Sequence, residues 1–247
     1  MNTPSVLRLT AVAALCLAAA CGDKKKADPG APAAQPAAAQ PAVAAPAHAG
    51  PLAIAGVWRI TSATNLSGQS YGGSVSMQQA GPTWDLSWTL QDGSAQKGVG
   101  IDLGNGILAA GWGGAGAFGV IVYDVAGGSL TGTWAQHGVA GQGSEVLSGP
   151  AALGGNYTIT TGRSPNGAPY TGSVVIRQVG QLYDLTWTTG GQGQRGVGRL
   201  EGTKLIAGWG IGVGAGFVRY QLTSPTRLDG VWAPVGGTTT ATEILER

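Results

Sequence analysis

From about residue 56 onward, apolar and polar residues alternate in short runs, as in strands with one buried face. Trp84, Leu86 and Trp88 fall on one side of such a run, and Asp85 and Ser87 fall on the other. Clusters of Gly, Asn, Asp and Ser, which favour tight turns, separate the runs. No run of ten or more residues has a helical period, so the pattern predicts an all-β chain.

The alternating region consists of two copies of one unit, at about 56–148 and 154–247. The run from Trp84 to Trp88 recurs as Tyr183 to Trp187, and six such matches keep their order with offsets of 97 to 99 residues. Each copy predicts about eight strands. In the first copy they lie near 57–62, 71–79, 83–90, 96–102, 106–112, 118–125, 129–135 and 143–147.

Eight consecutive hairpin-linked strands form an up-and-down meander, and closing the meander removes its exposed edges. We therefore expect two tandem antiparallel meanders, each closed into a small barrel, with one barrel per copy. A barrel of eight strands has an interior that side chains fill, with room for one small ligand. A sandwich, or one larger barrel shared by both copies, is the alternative.

The first fifty residues predict export. Residues 1–20 have one basic residue, an apolar stretch and a small-residue ending, which is the anatomy of a signal peptide. The ending from Leu17 to Cys21 resembles a bacterial lipobox, although leucine lies four residues before the cysteine instead of three. That resemblance implies that Cys21 is acylated as a membrane anchor. Gly22 after the cysteine implies the outer membrane, on its periplasmic or its surface face. The alternative is ordinary cleavage that leaves an unmodified cysteine.

The composition of the chain excludes several classes of function. After the anchor, residues 21–50 are rich in Ala and Pro and predict a disordered linker. From residue 51 onward the chain has ten Lys and Arg residues and ten Asp and Glu residues, so this part carries no net charge. A neutral module lacks the basic surface that nucleic acid requires. Both cysteines lie within the first 21 residues, and His48 and His137 are far apart. We therefore expect no disulfide, metal site, cofactor or catalytic residue in the repeats.

Two resemblances concern the repeats. The segment from Ser164 to Val174, followed by Gly180, Tyr183 and Trp187, resembles an exported bacterial repeat of the pattern N-P-N-G-x-x-Y-x-G-x-V. Some members of that family are labelled fibronectin-binding, which implies an extracellular protein as partner. The sequence Gly-Val-Trp that ends at Trp58, and a Leu-x-Gly-x-Trp motif near the end of each copy, resemble strands of avidin-like and lipocalin-like barrels.

Six repeated tryptophans are the candidate site residues. They either line a pocket for a sugar or hydrophobic ligand or fill the barrel core, and core packing is favoured. They are Trp88, Trp112, Trp134, Trp187, Trp209 and Trp232.

Two repeated carboxylate pairs, Asp85 with Asp184 and Glu145 with Glu243, allow a second hypothesis. Such groups could serve glycoside hydrolysis if they lay about 5 to 9 Å apart. The favoured interpretation is that the Asp residues point outward and that the Glu residues pair with neighbouring Arg.

Together these features predict a membrane-anchored, non-enzymatic binding or structural lipoprotein. Its expected partners are the membrane, through the anchor, and an extracellular or envelope protein or glycan. The alternative function is a small-ligand carrier with a Trp-lined barrel pocket.

Overall fold

The computed structural model describes residues 52–211 and 214–247, and all regular secondary structure in this part of the chain is β-strand. Cys21, the signal segment and the 21–50 linker lie outside the described residues. The strand bounds in the first copy agree with the sequence expectation to within two residues. The strands are β1 (Gly56–Thr64), β2 (Gly73–Ala80), β3 (Thr83–Leu90), β4 (Ala95–Asp102), β5 (Ile107–Gly113), β6 (Phe118–Ala126), β7 (Ser129–Gln136), β8 (Gly143–Ser148), β9 (Gly155–Arg163), β10 (Pro169–Val179), β11 (Leu182–Thr189), β12 (Gln192–Glu201), β13 (Lys204–Gly210), β14 (Ala215–Ser224), β15 (Arg227–Pro234) and β16 (Ala241–Glu246).

The strands form two closed antiparallel barrels of eight strands each, which confirms the predicted fold class. Barrel B is an uninterrupted stretch of chain, β6 to β13. Barrel A combines the two flanking stretches, β1 to β5 and β14 to β16. Among the described residues, none belongs to a helix long and apolar enough to cross a membrane.

The expectation of one barrel per copy is wrong. Each barrel takes five strands from one copy and three from the other, because β5 pairs with β14 and β13 pairs with β6. β6 and β14 share the repeated Gly119/Gly216 and Tyr123/Tyr220 and the same inward pattern, so β14 can occupy the place beside β5 that β6 would otherwise take. The chain passes from one barrel to the other after β5 and again after β13.

The segment before the first strand of each copy packs across one end of a barrel. It precedes β1 in barrel A and β9 in barrel B. In barrel A the indole Nε1 of Trp58 donates a hydrogen bond of 2.7 Å to the carbonyl of Ile54, and both side chains are fully buried. In barrel B the corresponding Tyr157 hydroxyl donates to the carbonyl oxygens of Pro150 and Ala152. The cavities of the two barrels lie at the opposite end, near Asn65 after β1 and Ser164 after β9.

The barrels share an apolar interface, so the strands that form it are buried on both faces. In β6, for example, Ile121 and Tyr123 point into barrel B, whereas Val120 and Val122 pack against barrel A. The same holds for β5, β13 and β14. The interface side chains are Val99, Ile101, Ala109, Val120, Val122, Ala135, Leu182, Val197, Ile206, Phe217 and Ala233.

Candidate functional site

Each barrel contains a cavity at its open end, about 250 Å³ in barrel A and about 320 Å³ in barrel B. In barrel A the loop after β1 and the turn after β3 form part of the rim, through Asn65 and Asp92. Ser164 and Gly190 occupy the corresponding rim positions in barrel B. The two cavities are therefore equivalent sites, generated by the internal duplication.

The six candidate tryptophans lie in these two cavities, three in each. Trp88, Trp112 and Trp232 line the cavity of barrel A, and Trp134, Trp187 and Trp209 line that of barrel B. The structure also packs all six against the barrel cores, so core packing and cavity lining are not exclusive. Each set of three draws on both copies, because the barrels exchange strands.

The aromatic rings of a cavity stand edge to face. In barrel A the Trp232 ring lies 6.2 Å from Tyr71 and 6.2 Å from Trp112, at 76° to each. In barrel B the Trp134 ring makes the same contacts with Tyr170 and Trp209, at 6.3 and 6.2 Å. Perpendicular rings form walls that present both faces and edges to the cavity.

A buried glutamate forms the floor of the cavity in barrel A. Glu243 is only 4% exposed and accepts hydrogen bonds from two tyrosine hydroxyls, Tyr220 on Oε1 and Tyr71 on Oε2, the latter at 3.0 Å. The indole Nε1 of Trp88 donates to the Tyr220 hydroxyl at 3.2 Å. The carboxyl group is thus held by neutral donors.

Barrel B repeats this cluster. Glu145 is 3% exposed and accepts hydrogen bonds from Tyr123 on Oε1 and from Tyr170 on Oε2, the latter at 2.7 Å. The Trp187 indole lies between two acceptors, 3.0 Å from the Tyr123 hydroxyl and 3.2 Å from Glu145 Oε1. The expectation that these glutamates pair with Arg is wrong.

Burial governs the ionisation of these groups. Burial raises the pKa of Glu243 above its ordinary value, because a carboxylate loses hydration inside the barrel. Burial, and then the charge of the neighbouring glutamate, raises the pKa of all four cluster tyrosines, Tyr71, Tyr123, Tyr170 and Tyr220. The tyrosines therefore remain protonated donors at physiological pH.

The carboxylate pairs are not brought together. Asp85 and Asp184 lie on the outer faces of β3 and β11, whereas Glu145 and Glu243 lie inside different barrels. Among residues 52–211 and 214–247, no cluster of three or more His, Cys, Asp or Glu side chains could hold a metal ion.

The repeated Glu145 and Glu243 were recognised from the sequence, but their burial and their tyrosine partners were not, although the pattern contained a signal for both. Glu243 alternates with Ala241 and Leu245 on β16, so strand periodicity places it on the inner face. Tyr123 and Tyr220 recur at the same offset as the other repeat matches.

Glycines under the aromatic rings shape the cavities. A Cβ atom added to Gly98 would lie 2.6 Å from the Trp88 ring, and one added to Gly196 would lie 2.7 Å from the Trp187 ring. The bare backbone of β4 or β12 therefore lets the ring lie flat against the wall. This arrangement explains why Gly-Val-Gly at 98–100 recurs at 196–198.

The chain was compared with protein-family models, with curated proteins and with solved structures, and none of them matches it.

Proposed function

We propose that this chain is a membrane-anchored, non-enzymatic binding lipoprotein whose two barrels each take one small ligand at the open end. One observation carries the binding proposal. Two separately closed barrels hold the same constellation, with three tryptophans, one tyrosine and a buried glutamate lining each cavity and a second tyrosine that donates to the glutamate.

The construction of the cavities supports a binding role beyond core packing. A core that served stability alone could use apolar side chains at both glutamate positions, because burying a carboxyl group costs free energy even when it is hydrogen-bonded. The volumes suit a small ligand, since they lie near the lower end of the range for ligand pockets. Walls of aromatic side chains around a few polar groups are typical of such pockets.

Tryptophan spectroscopy tests this proposal directly. Six of the eight tryptophans line the cavities, whereas Trp58 and Trp84 lie elsewhere in the core of barrel A. With fluorotryptophan incorporated, a small ligand should shift the six cavity resonances and leave those of Trp58 and Trp84 nearly unchanged. A panel of small organic cations, anions, sugars and lipids, screened by ligand-observed NMR, provides the candidates.

A response to matrix or envelope proteins alone, with no small molecule bound by either cavity, would favour the adhesive alternative. It would contradict small-ligand binding.

The anchor belongs to the same proposal and needs its own experiment. Cys21→Ala should abolish labelling of the protein by a fatty-acid analogue and release it from membranes. Cys16→Ala is the matched control, because Cys16 lies within the predicted signal segment and should leave labelling intact. Unchanged labelling in the Cys21 variant would rule out the anchor and leave the binding proposal standing.

A further inference from the structure

We infer that each cavity binds a small organic ammonium ion, held between the aromatic walls and the glutamate floor. This inference rests on the proposed small-ligand function and names the class of ligand. It is argued from the charge of the cavity lining, the free acceptor capacity of the glutamates and the arrangement of the rings.

The charge of the lining excludes anions. Among the described residues that line the two cavities there is no Lys, Arg or His, while Glu243 and Asp92 line one and Glu145 lines the other. The groups that contact the glutamates are phenol hydroxyls and indole N–H groups, which carry no formal charge. An ionised glutamate therefore leaves a net negative charge in each cavity, and a cationic ligand would neutralise it.

Both glutamates retain room for another contact. A carboxylate offers about four acceptor positions. Glu243 uses two of them, for Tyr71 and Tyr220, and Glu145 uses three, for Tyr123, Tyr170 and Trp187. Because each glutamate lines its cavity, the remaining position can face a ligand there.

The aromatic rings of the cavity provide a second attraction for a cation, in addition to the glutamate. The face of an aromatic ring carries negative potential, so a cation over several faces is attracted by each of them. In barrel A the Tyr71, Trp112 and Trp232 rings lie nearly perpendicular to their neighbours and surround the cavity together with Trp88. A neutral sugar could stack on these rings but would leave the glutamate charge uncompensated.

The two cavities should differ in strength. Asp92 adds a second carboxylate at the rim of barrel A, where barrel B has Gly190. The cavity of barrel A should therefore bind a cation more tightly, and that difference should shrink as salt screens the exposed Asp92.

Calorimetry with choline and its uncharged isostere, in which a tert-butyl group replaces the trimethylammonium group, tests the inference on the full chain. Choline should bind at two sites per chain, and the isostere should bind at least about tenfold more weakly. The comparison uses the wild-type protein, so it does not depend on a variant that folds.

Substitutions of the cavity carboxylates then test whether choline binds in these cavities. Glu145→Gln with Glu243→Gln should weaken choline binding at least about tenfold and leave isostere binding within about threefold. Asp92→Asn should weaken only the tighter choline site, and Asp85→Asn, on the outer face of β3, should change neither site.

The failures are distinguishable. Equal binding of choline and the isostere would overturn the ammonium inference and leave the small-ligand function intact. The same holds if choline fails to bind while another compound of the panel shifts the cavity tryptophans. If no compound of the panel shifts them, both proposals fail.

Discussion

Gly111 of barrel A packs with its α-carbon directly on the carbonyl group of Gly119 of barrel B. A Cβ atom added to Gly111 would lie 1.9 Å from that carbonyl oxygen, far inside van der Waals contact. The equivalent contact joins Gly208 and Gly216, where the added atom would lie 2.0 Å from the oxygen. The barrels thus meet backbone to backbone at two symmetric points, and no side chain fits between them.

Gly111→Ala should destabilise the protein by at least about 1 to 3 kcal/mol, the usual cost of overpacking a well-packed interior. The clash is with backbone, so no flexible side chain can move to relieve it. Chemical denaturation gives the free energy of unfolding. Gly193→Ala is the matched control, since an added Cβ there meets nothing within 4 Å. Equal stability of the two variants would mean that the barrels do not approach as closely as described.

The strand exchange predicts which fragments fold. Residues 118–210 contain all eight strands of barrel B and should fold alone, with an unfolding midpoint that is independent of protein concentration. The exposed interface side chains should lower the solubility of this fragment. Residues 154–247, the second copy, hold five strands of barrel B and three of barrel A. This fragment should close a barrel only by exchanging strands with a second molecule, so it should be a dimer.

Light scattering and denaturation at several concentrations distinguish these cases. A monomeric 154–247 fragment with a concentration-independent midpoint would show that β13 and β14 can pair as a hairpin, contrary to the exchanged arrangement.

The raised pKa of Glu243 predicts how stability depends on pH. The native state holds this proton more tightly than the unfolded chain does, so ionisation favours unfolding as pH increases. The contribution to stability is complete below the ordinary glutamate pKa of 4.5 and is lost as pH rises from that value through the raised native pKa. Tyr71 and the rim residue Asp92 are the titratable groups that line the cavity with Glu243, and Tyr220 donates a hydrogen bond to its carboxyl group.

Glu243→Gln should remove this dependence. Relative to wild type, the variant should therefore gain stability as pH rises through that window, by about 1.4 kcal/mol for each pKa unit of the native shift. Denaturation of both proteins at a series of pH values measures the difference, with Asp85→Asn as an exposed control. Parallel pH profiles for wild type and Glu243→Gln would contradict a raised pKa of Glu243.

The tyrosine donors should stabilise the glutamates in a way that a double-mutant cycle can measure. Tyr71→Phe removes one hydrogen bond to Glu243 and should cost about 1 to 3 kcal/mol, within the range for bonds to charged groups. In the Glu243→Gln background the same change should cost less, because the acceptor carries no charge. Tyr183→Phe serves as control, since the Tyr183 hydroxyl makes no hydrogen bond within the described residues. Identical costs in both backgrounds would mean that Tyr71 does not act through the carboxyl group.

Strand positions and facing could be predicted from the sequence because most strands have one solvated face. Trp88 and Asp85 alternate on β3, and the structure buries the former and exposes the latter. The exchange of strands between the two copies could not be predicted, because β6 and β14 share the same inward pattern and either can occupy the place beside β5. The continuous apolar run from Phe118 to Tyr123 is typical of a strand buried on both faces, but such a run does not identify the neighbouring strand.

The candidate site was predictable only in part. The six tryptophans were found through their repetition, whereas the glutamates were expected to pair with neighbouring Arg because an isolated carboxyl group is expensive to bury. The hydroxyls that make burial of Glu243 feasible, from Tyr71 and Tyr220, lie on distant segments of the chain. Their convergence depends on the exchanged pairing that sequence periodicity does not reveal.

The mixed origin of each cavity restricts how the gene can change. Recombination that deletes one copy would remove strands from both barrels and leave half of each constellation in a single polypeptide. The first copy supplies Tyr71 to one cavity and Glu145 to the other, so neither copy alone encodes a complete cavity. Replacing one copy as a unit, for example by gene conversion, would therefore change part of the lining of both cavities at once.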